Sequence, residues 1–326
     1  MKHNTGEKTN RPLYLVTGGA GFIGSHLSET LVNSGQRVRI FDDFSAGKRS
    51  NLAGFADKIE IIEGDVRDSD ACYRACEGTD YVLHHAARVS VPESIENPVL
   101  YEEVNALGTL KMLQAARQAG CKRFVYPGSA SAYGNTTELP HCEDMIPQPL
   151  SPYAITKHVG ELYARVFFEL HGLETVVLRY FNIFGPRQDP HSPYSGVIAL
   201  FMDKLLKGED ITILGDGEQS RDFVAVENIV AANLLACTAP DAPGQVINIG
   251  CGEQLAINDL AEMLIELIGA EVSITHGPAR AGDVRHSVAA IDRAQALLGY
   301  RVGLPVWEGL RRTIAWYREQ AASGKG

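Results

Sequence analysis

Residues 13–25 read LYLVTGGAGFIGS, a short and largely apolar run that passes directly into Gly18-x-x-Gly21-x-x-Gly24. The run is strand-like, and the glycines mark a turn that opens a helix. In that setting glycine permits a tight turn, a close approach of backbone to a pyrophosphate, and close packing of helix on strand. The helix N-terminus meanwhile offers N–H groups to phosphate oxygens. Gly18, Gly21, Phe22, Ile23 and Gly24 are therefore expected at a dinucleotide.

Working outward, the next apolar run, VRIFDD, ends at Asp42-Asp43. Asp42 lies 18 residues past Gly24, about where an acidic residue hydrogen-bonds the adenosine ribose hydroxyls. A carboxylate there repels a 2′-phosphate, so the expected cofactor is NAD and not NADP. Asp65-Val66 closes the run IEIIEGD where an adenine edge would be read, although an ordinary strand-end aspartate fits the same position. YVLHHAA, RFVYPGS and TVVLRYF follow as further strands, alternating with amphipathic stretches at 24–35, 105–119 and 151–171.

That alternation predicts an α/β fold of Rossmann type, a doubly wound parallel sheet joined to a smaller α/β substrate-binding domain. The expected boundaries are 12–181 for the first domain, joined by part of 225–250 through the strand-like QVINIG, and 182–318 mainly for the second. Residues 1–11 and 319–326 are expected to be flexible termini.

The 326 residues carry 30 Lys and Arg against 40 Asp and Glu, a net charge of −10. With 45% hydrophobic residues and a mean hydropathy of −0.09, this is the composition of a globular chain and not of a disordered one. The charge disfavours nucleic acid, and no apolar run approaches the roughly 18–20 residues of a membrane span. The polar N-terminus does not read as a signal peptide, so a cytoplasmic location is the expectation. Six scattered cysteines show no zinc spacing and are expected as free thiols, with no disulfide and no metal.

Tyr153 and Lys157 stand at i and i+4 of a predicted helix and so share a face. A cationic lysine beside a phenol favours the phenolate, which predicts a Tyr153 pKa lowered towards working pH. Ser129, 24 residues upstream at the end of a predicted strand, supplies a hydroxyl able to orient a substrate alcohol.

GGAGFIGSH, HHAARVSVPESI, GSASAYG, SPYAITK, LRYFNIFGPRQ, GDGEQSRDF and RAGDVRHS occur in one order along residues 13–318. In this set and its spacing the chain resembles the extended short-chain dehydrogenase/reductase family, and within it the NAD-dependent nucleotide-sugar 4-epimerases. The resemblance implies that Tyr153 is the general base, Lys157 its activator and a nicotinamide-ribose ligand, and Ser129 the third catalytic member. It places Ala86, Asn105 and Tyr180 at the cofactor. Ser90, Ser131 and Val197 would line the substrate site, Asn182 and Arg221 would bind the diphosphate, and Leu214 the uracil. Arg280 would bind phosphate, Asp283 the ribose, and Ser287 would face the 2-position of the sugar. A homodimer built on the helices around 105–119 and 151–171 is also implied.

Relatives that dehydrate the sugar carry acidic residues directly after the catalytic hydroxyl, and here those positions are Ala130 and Ser131. Relatives restricted to plain hexoses carry a bulky tyrosine at the Ser287 position. The resemblance therefore implies a UDP-N-acetylglucosamine/UDP-N-acetylgalactosamine 4-epimerase, with UDP-glucose and UDP-galactose possible further substrates. Arg88, a cation where a non-polar residue is common, keeps UDP-glucuronate or UDP-N-acetylhexosaminuronate 4-epimerases in play. A C6 decarboxylase and a non-catalytic NAD-sensing protein are the remaining alternatives.

Overall fold

Every residue of β1 (Leu13–Thr17) is buried, as expected of a strand inside a parallel sheet covered on both faces. The structure is a computed structural model that describes residues 11–190, 196–279 and 284–322. After β1 come α1 (Phe22–Asn33), β2 (Arg37–Asp42), β3 (Ile59–Glu63), α2 (Ser69–Cys76), β4 (Tyr81–His84), α3 (Val91–Glu96) and α4 (Pro98–Tyr101). They are followed by α5 (Gly108–Gln118), β5 (Arg123–Ser129), α6 (Pro152–His171), β6 (Glu174–Tyr180) and β7 (Asn182–Phe184). The chain continues through α7 (Val197–Leu206), β8 (Ile211–Leu214), β9 (Ser220–Arg221), β10 (Phe223–Ala225), α8 (Val226–Thr238) and β11 (Val246–Ile249). The last elements are β12 (Leu255–Ala256), α9 (Ile257–Ile268), β13 (Ile274–Gly277), α10 (Asp292–Leu298) and α11 (Val306–Ala322).

Seven strands form one parallel sheet in the order β11-β6-β5-β4-β1-β2-β3. The doubly wound sheet expected from the apolar runs is present, with β11 pairing to β6 at its edge. The chain leaves β1 in one direction through β2 and β3 and in the other through β4. The crevice at the carboxyl ends of β1 and β4 is therefore the switch point where such sheets bind ligands. Alternation along β1 divides the core. Tyr14 and Val16 pack with Leu27 and Leu31 of α1 and Ile229 of α8, and Leu15 packs on the other face with Met112 and Leu113 of α5 and Ala164 of α6. Ala294, Leu298 and Tyr300 join the first of these cores.

Helix α6 has clear local causes. Ser151 Oγ accepts the Ala154 N–H at 3.1 Å, Pro152 takes the first position, where no amide partner is needed, and Gly172 closes the helix at φ +68°. The stretch beginning at Asn105 departs from the expected regular helix. Residues Glu102–Leu107 form a π turn between α4 and α5, and the extra residue in that turn leaves Asn105 only 1% exposed.

A third core lies in the second half of the chain, where Met202, Leu205, Leu260, Leu264 and Leu310 join α7, α9 and α11. Short pairs complete this half: β7 with β10 and β8 with β13 in parallel, and β9 with β12 antiparallel. All six cysteines are free thiols, and among the described residues no helix is long and apolar enough to cross a membrane.

Candidate active site

A cleft opens at the switch point, floored by Gly18 and Gly21 and walled by Asp42, Asp65, Val66 and Ala86 among others. Gly18 has φ +64°, and a Cβ there would lie 2.7 Å from Ala86 N and 2.8 Å from the His85 carbonyl. A Cβ on Gly24 would overlap the Gly18 carbonyl, so α1 can pack on the turn only through glycine. Phe22 and Ile23 form the first turn of α1, whose N-cap Gly21 has no side chain to bond its free N–H groups. A cradle that a Cβ would fill, at an uncapped helix N-terminus, fits a pyrophosphate.

Asp42 is 6% exposed. Its carboxylate accepts the Ala20 N–H at 2.9 Å and the Phe44 N–H at 2.8 Å, and burial raises its pKa above the ordinary carboxylate range. It thus ties the glycine turn to the loop after β2 as well as lining the cleft. Asp43, exposed at the rim, accepts from Ser45 N and Oγ. Asp65 is engaged by the Arg67 guanidinium and backbone N–H, which hold its carboxyl below the usual range.

Two expected cofactor residues act on neighbouring segments. The Asn105 side chain accepts the Arg88 N–H at 2.8 Å and donates to Arg88 O at 2.9 Å and Thr156 Oγ1 at 3.1 Å, fastening the loop after β4 to α6. The Tyr180 hydroxyl is hydrogen-bonded to His85 Nε2 at 3.1 Å and to the Asn233 side-chain amide.

Ser129 lies at the end of β5 and Tyr153 in the first turn of α6, and the serine hydroxyl is near enough to the phenol to act on its pKa. Ser131 Oγ donates to Ser129 Oγ at 2.8 Å. Lys157 is 5% exposed, with Nζ 5.0 Å from the centre of the Tyr126 ring. Burial pushes its pKa down to about 8, opposed by the Glu161 carboxylate one helical turn on. The expected lowering of Tyr153 by Lys157 is not found. Burial raises the phenol above its ordinary value, and the group that opposes burial is Ser129.

Glu161, unremarked in the sequence, is 3% exposed and held by Arg179 through two bonds of 3.0 and 2.8 Å and by His158 at 3.0 Å. Glu93 was missed too. It accepts from Tyr101 Oη at 2.8 Å and lies 3.7 Å from Arg88, and the Tyr101 ring meets Tyr153 edge-on. Ser90 caps α3 by accepting the Glu93 N–H.

In the second half of the chain, Asn182 opens β7, Val197 opens α7, Leu214 ends β8 half exposed, and Arg221 ends β9. Ser287 is 7% exposed, and its N–H donates to Ser220 O at 3.1 Å, which sets it beside Arg221. Arg280 and Asp283 lie outside the described residues. Asp222, between Arg221 and Phe223, is fully buried and had no signal in the sequence beyond its place in SRDF. Burial pushes its pKa up to about 6 against three backbone N–H donors. Among the described residues no group of three or more His, Cys, Asp or Glu side chains is placed to hold a metal ion.

The UDP-glucose 4-epimerase of Mycolicibacterium smegmatis is 37% identical over 311 residues, covering 94% of this chain and 99% of that protein. The solved UDP-N-acetylglucosamine 4-epimerase from Methanobrevibacter ruminantium, in complex with UDP-N-acetylmuramic acid, superposes with a TM-score of 0.91 at 37% identity. That match covers 95% of this chain and 99% of that one. The Thermus thermophilus UDP-glucose 4-epimerase, in complex with NAD, gives a TM-score of 0.85 at 36% identity, covering 94% of this chain and 99% of that one. The pattern of the NAD dependent epimerase/dehydratase family matches residues 14–250, and the chain belongs to that family as an NAD-dependent enzyme.

Proposed function

We propose that this protein interconverts UDP-N-acetylglucosamine and UDP-N-acetylgalactosamine at C4. The observation that carries the reading is the placement of Ser129, at the end of β5, beside Tyr153, in the first turn of α6, with Ala130 and Ser131 where elimination would require acidic residues. Tyr153 takes the proton of the sugar 4-hydroxyl while Ser129 holds O4, and C4 becomes a ketone. When bound, NAD supplies the hydride acceptor and donor for C4. The sugar turns over, Tyr153 returns the proton to O4, and no net oxidation remains. Lys157, cationic below about pH 8, favours the phenolate once the reacting groups are assembled.

Gly18, Gly21 and the start of α1 would hold the pyrophosphate, with Asp42 and Asp43 at the adenosine ribose. Asn182 and Arg221, with Arg280, would hold the sugar nucleotide's diphosphate, Leu214 the uracil and Asp283 its ribose. The reading favours an N-acetylated sugar because Ser287 is small. It favours a neutral C6 because Arg88 already faces Glu93 at 3.7 Å.

The α6 face formed by Ile155, Leu162, Val166 and Leu170 is exposed, as are Val99 and Leu107 beside it. Burying it against a second copy would give the expected homodimer. A panel of UDP-sugars, separated after reaction by anion exchange, tests the substrate. Conversion of UDP-N-acetylglucosamine to its C4 epimer is expected, whereas turnover of UDP-glucuronate alone would refute the proposal.

A further inference from the structure

Asp222 has no hydrogen to offer a substrate and no access to one, yet it is bonded or adjacent to the segments that carry Asn182, Arg221 and Ser287. Its Oδ1 accepts the Cys251 N–H at 2.7 Å, and its Oδ2 accepts the Gly252 N–H at 2.9 Å and the Ala289 N–H at 3.1 Å. The first two amides follow β11, the edge strand of the large sheet. The third lies two residues past Ser287. The backbone carbonyl of Asp222 accepts the Asn182 N–H at 3.0 Å, which starts the β7–β10 pair, and Arg221 is its chain neighbour. One buried residue therefore sets Asn182, Arg221 and Ser287 relative to the end of the cofactor sheet.

The fit leaves no slack. A Cβ on Gly250 would lie 2.6 Å from Asp222 Oδ2, so glycine at 250 is what lets the loop close on the carboxylate. Tyr300 Oη donates to Gly250 O at 3.0 Å and holds the loop from its other side. The carboxylate has only acceptor capacity, and three N–H donors converge on it. An amide in its place would turn an N–H towards one of those donors, leaving a buried group unsatisfied and the junction ajar.

We propose that Asp222 is a positioning residue for the sugar nucleotide, holding Arg221, Asn182 and Ser287 in register without touching the substrate. This rests on the reading of Asn182, Arg221 and Ser287 as part of the UDP-sugar site. It separates sugar-nucleotide binding from cofactor binding, because the Asp222 junction is bonded to Asn182 and to the segments after β11 and after Ser287, and none of those bonds reaches Gly18, Asp42 or the start of α1.

The test uses the NAD-loaded enzyme and compares wild type with Asp222→Asn and with Gly250→Ala, which displaces the same carboxylate from the opposite side. UDP binding is measured by calorimetry, kcat and KM with the UDP-sugar, and NAD content after denaturation. Both variants are expected to retain stoichiometric NAD, to raise the Kd for UDP and the KM by about tenfold, and to keep kcat within about threefold. An unchanged Kd for UDP in a folded Asp222→Asn protein overturns the proposal alone, and so does loss of NAD in step with affinity. Failure of both variants to fold assigns Asp222 to stability and overturns it as well. Wild-type protein that binds no UDP refutes the UDP-sugar reading itself, a result distinct from the others.

Discussion

Replacing Gly18 by alanine perturbs the cofactor cradle with a magnitude that follows from its geometry. The residue sits at φ +64°, a left-handed conformation that costs an L-residue about 1–2 kcal/mol. The new methyl would lie 2.7 Å from Ala86 N and 2.8 Å from the carbonyl carbon and oxygen of His85. These backbone atoms cannot simply withdraw, because Thr17 holds both: its Oγ1 accepts the Ala86 N–H at 3.0 Å and its carbonyl the His85 N–H at 3.1 Å. Overpacking of this kind costs about 1–3 kcal/mol.

The sum, about 2–5 kcal/mol, can be relieved only by opening the turn that floors the cleft. If it falls on binding, NAD affinity drops by roughly thirtyfold to a few thousandfold, since about 1.4 kcal/mol is a factor of ten. The assay is the NAD released on denaturing the purified protein, together with thermal unfolding in the presence and absence of added NAD. Gly54→Ala is the control, since a Cβ there meets nothing within 4 Å. Stoichiometric NAD and an unshifted Tm in Gly18→Ala would refute the assignment of this turn as the pyrophosphate cradle.

Tyr153→Phe is expected to keep the fold and the bound NAD while losing at least about a hundredfold in epimerisation, because the transferable proton is gone; retention of more than about a hundredth of wild-type activity would contradict its role. Lys157, lowered from 10.5 to about 8 by burial, should lose its charge as pH rises through about 8, so kcat/KM is expected to decline there, and a profile flat to about pH 10 would remove the lysine from the mechanism. The stability linkage has the opposite sign. The cost of burying this ammonium is present in full below about pH 8 and is relieved between 8 and 10.5, so the contribution of this group to stability rises across that window. Ser287→Tyr is expected to cut kcat/KM for the N-acetylated pair by about tenfold to a hundredfold while sparing UDP-glucose and UDP-galactose, and an equal fall on both pairs would show that Ser287 does not gate the 2-position.

The sequence by itself determined what depends on a residue and its near neighbours. Apolar runs such as LYLVT and RFVYPGS, spaced by amphipathic stretches, were enough for the parallel sheet, because alternation of side chains is a local property of the strand. The glycine turn was legible for the same reason: a positive φ at Gly18 and the contact of α1 with its own strand involve residues a few positions apart. Tyr153 and Lys157 could be paired because four residues make one turn of helix.

What remained was set by segments that meet only on folding. The π turn that buries Asn105 reflects its grip on Arg88 and Thr156, 17 and 51 residues away. The direction of the Tyr153 shift depended on burial, which no local pattern contains, and burial prevailed over the expected influence of Lys157. Asp222 reads as an unremarkable acid in SRDF, and only the arrival of Cys251, Gly252 and Ala289 makes it a junction. A buried carboxylate takes its role from the donors that the fold brings to it, and those donors lie 29, 30 and 67 residues away along the chain.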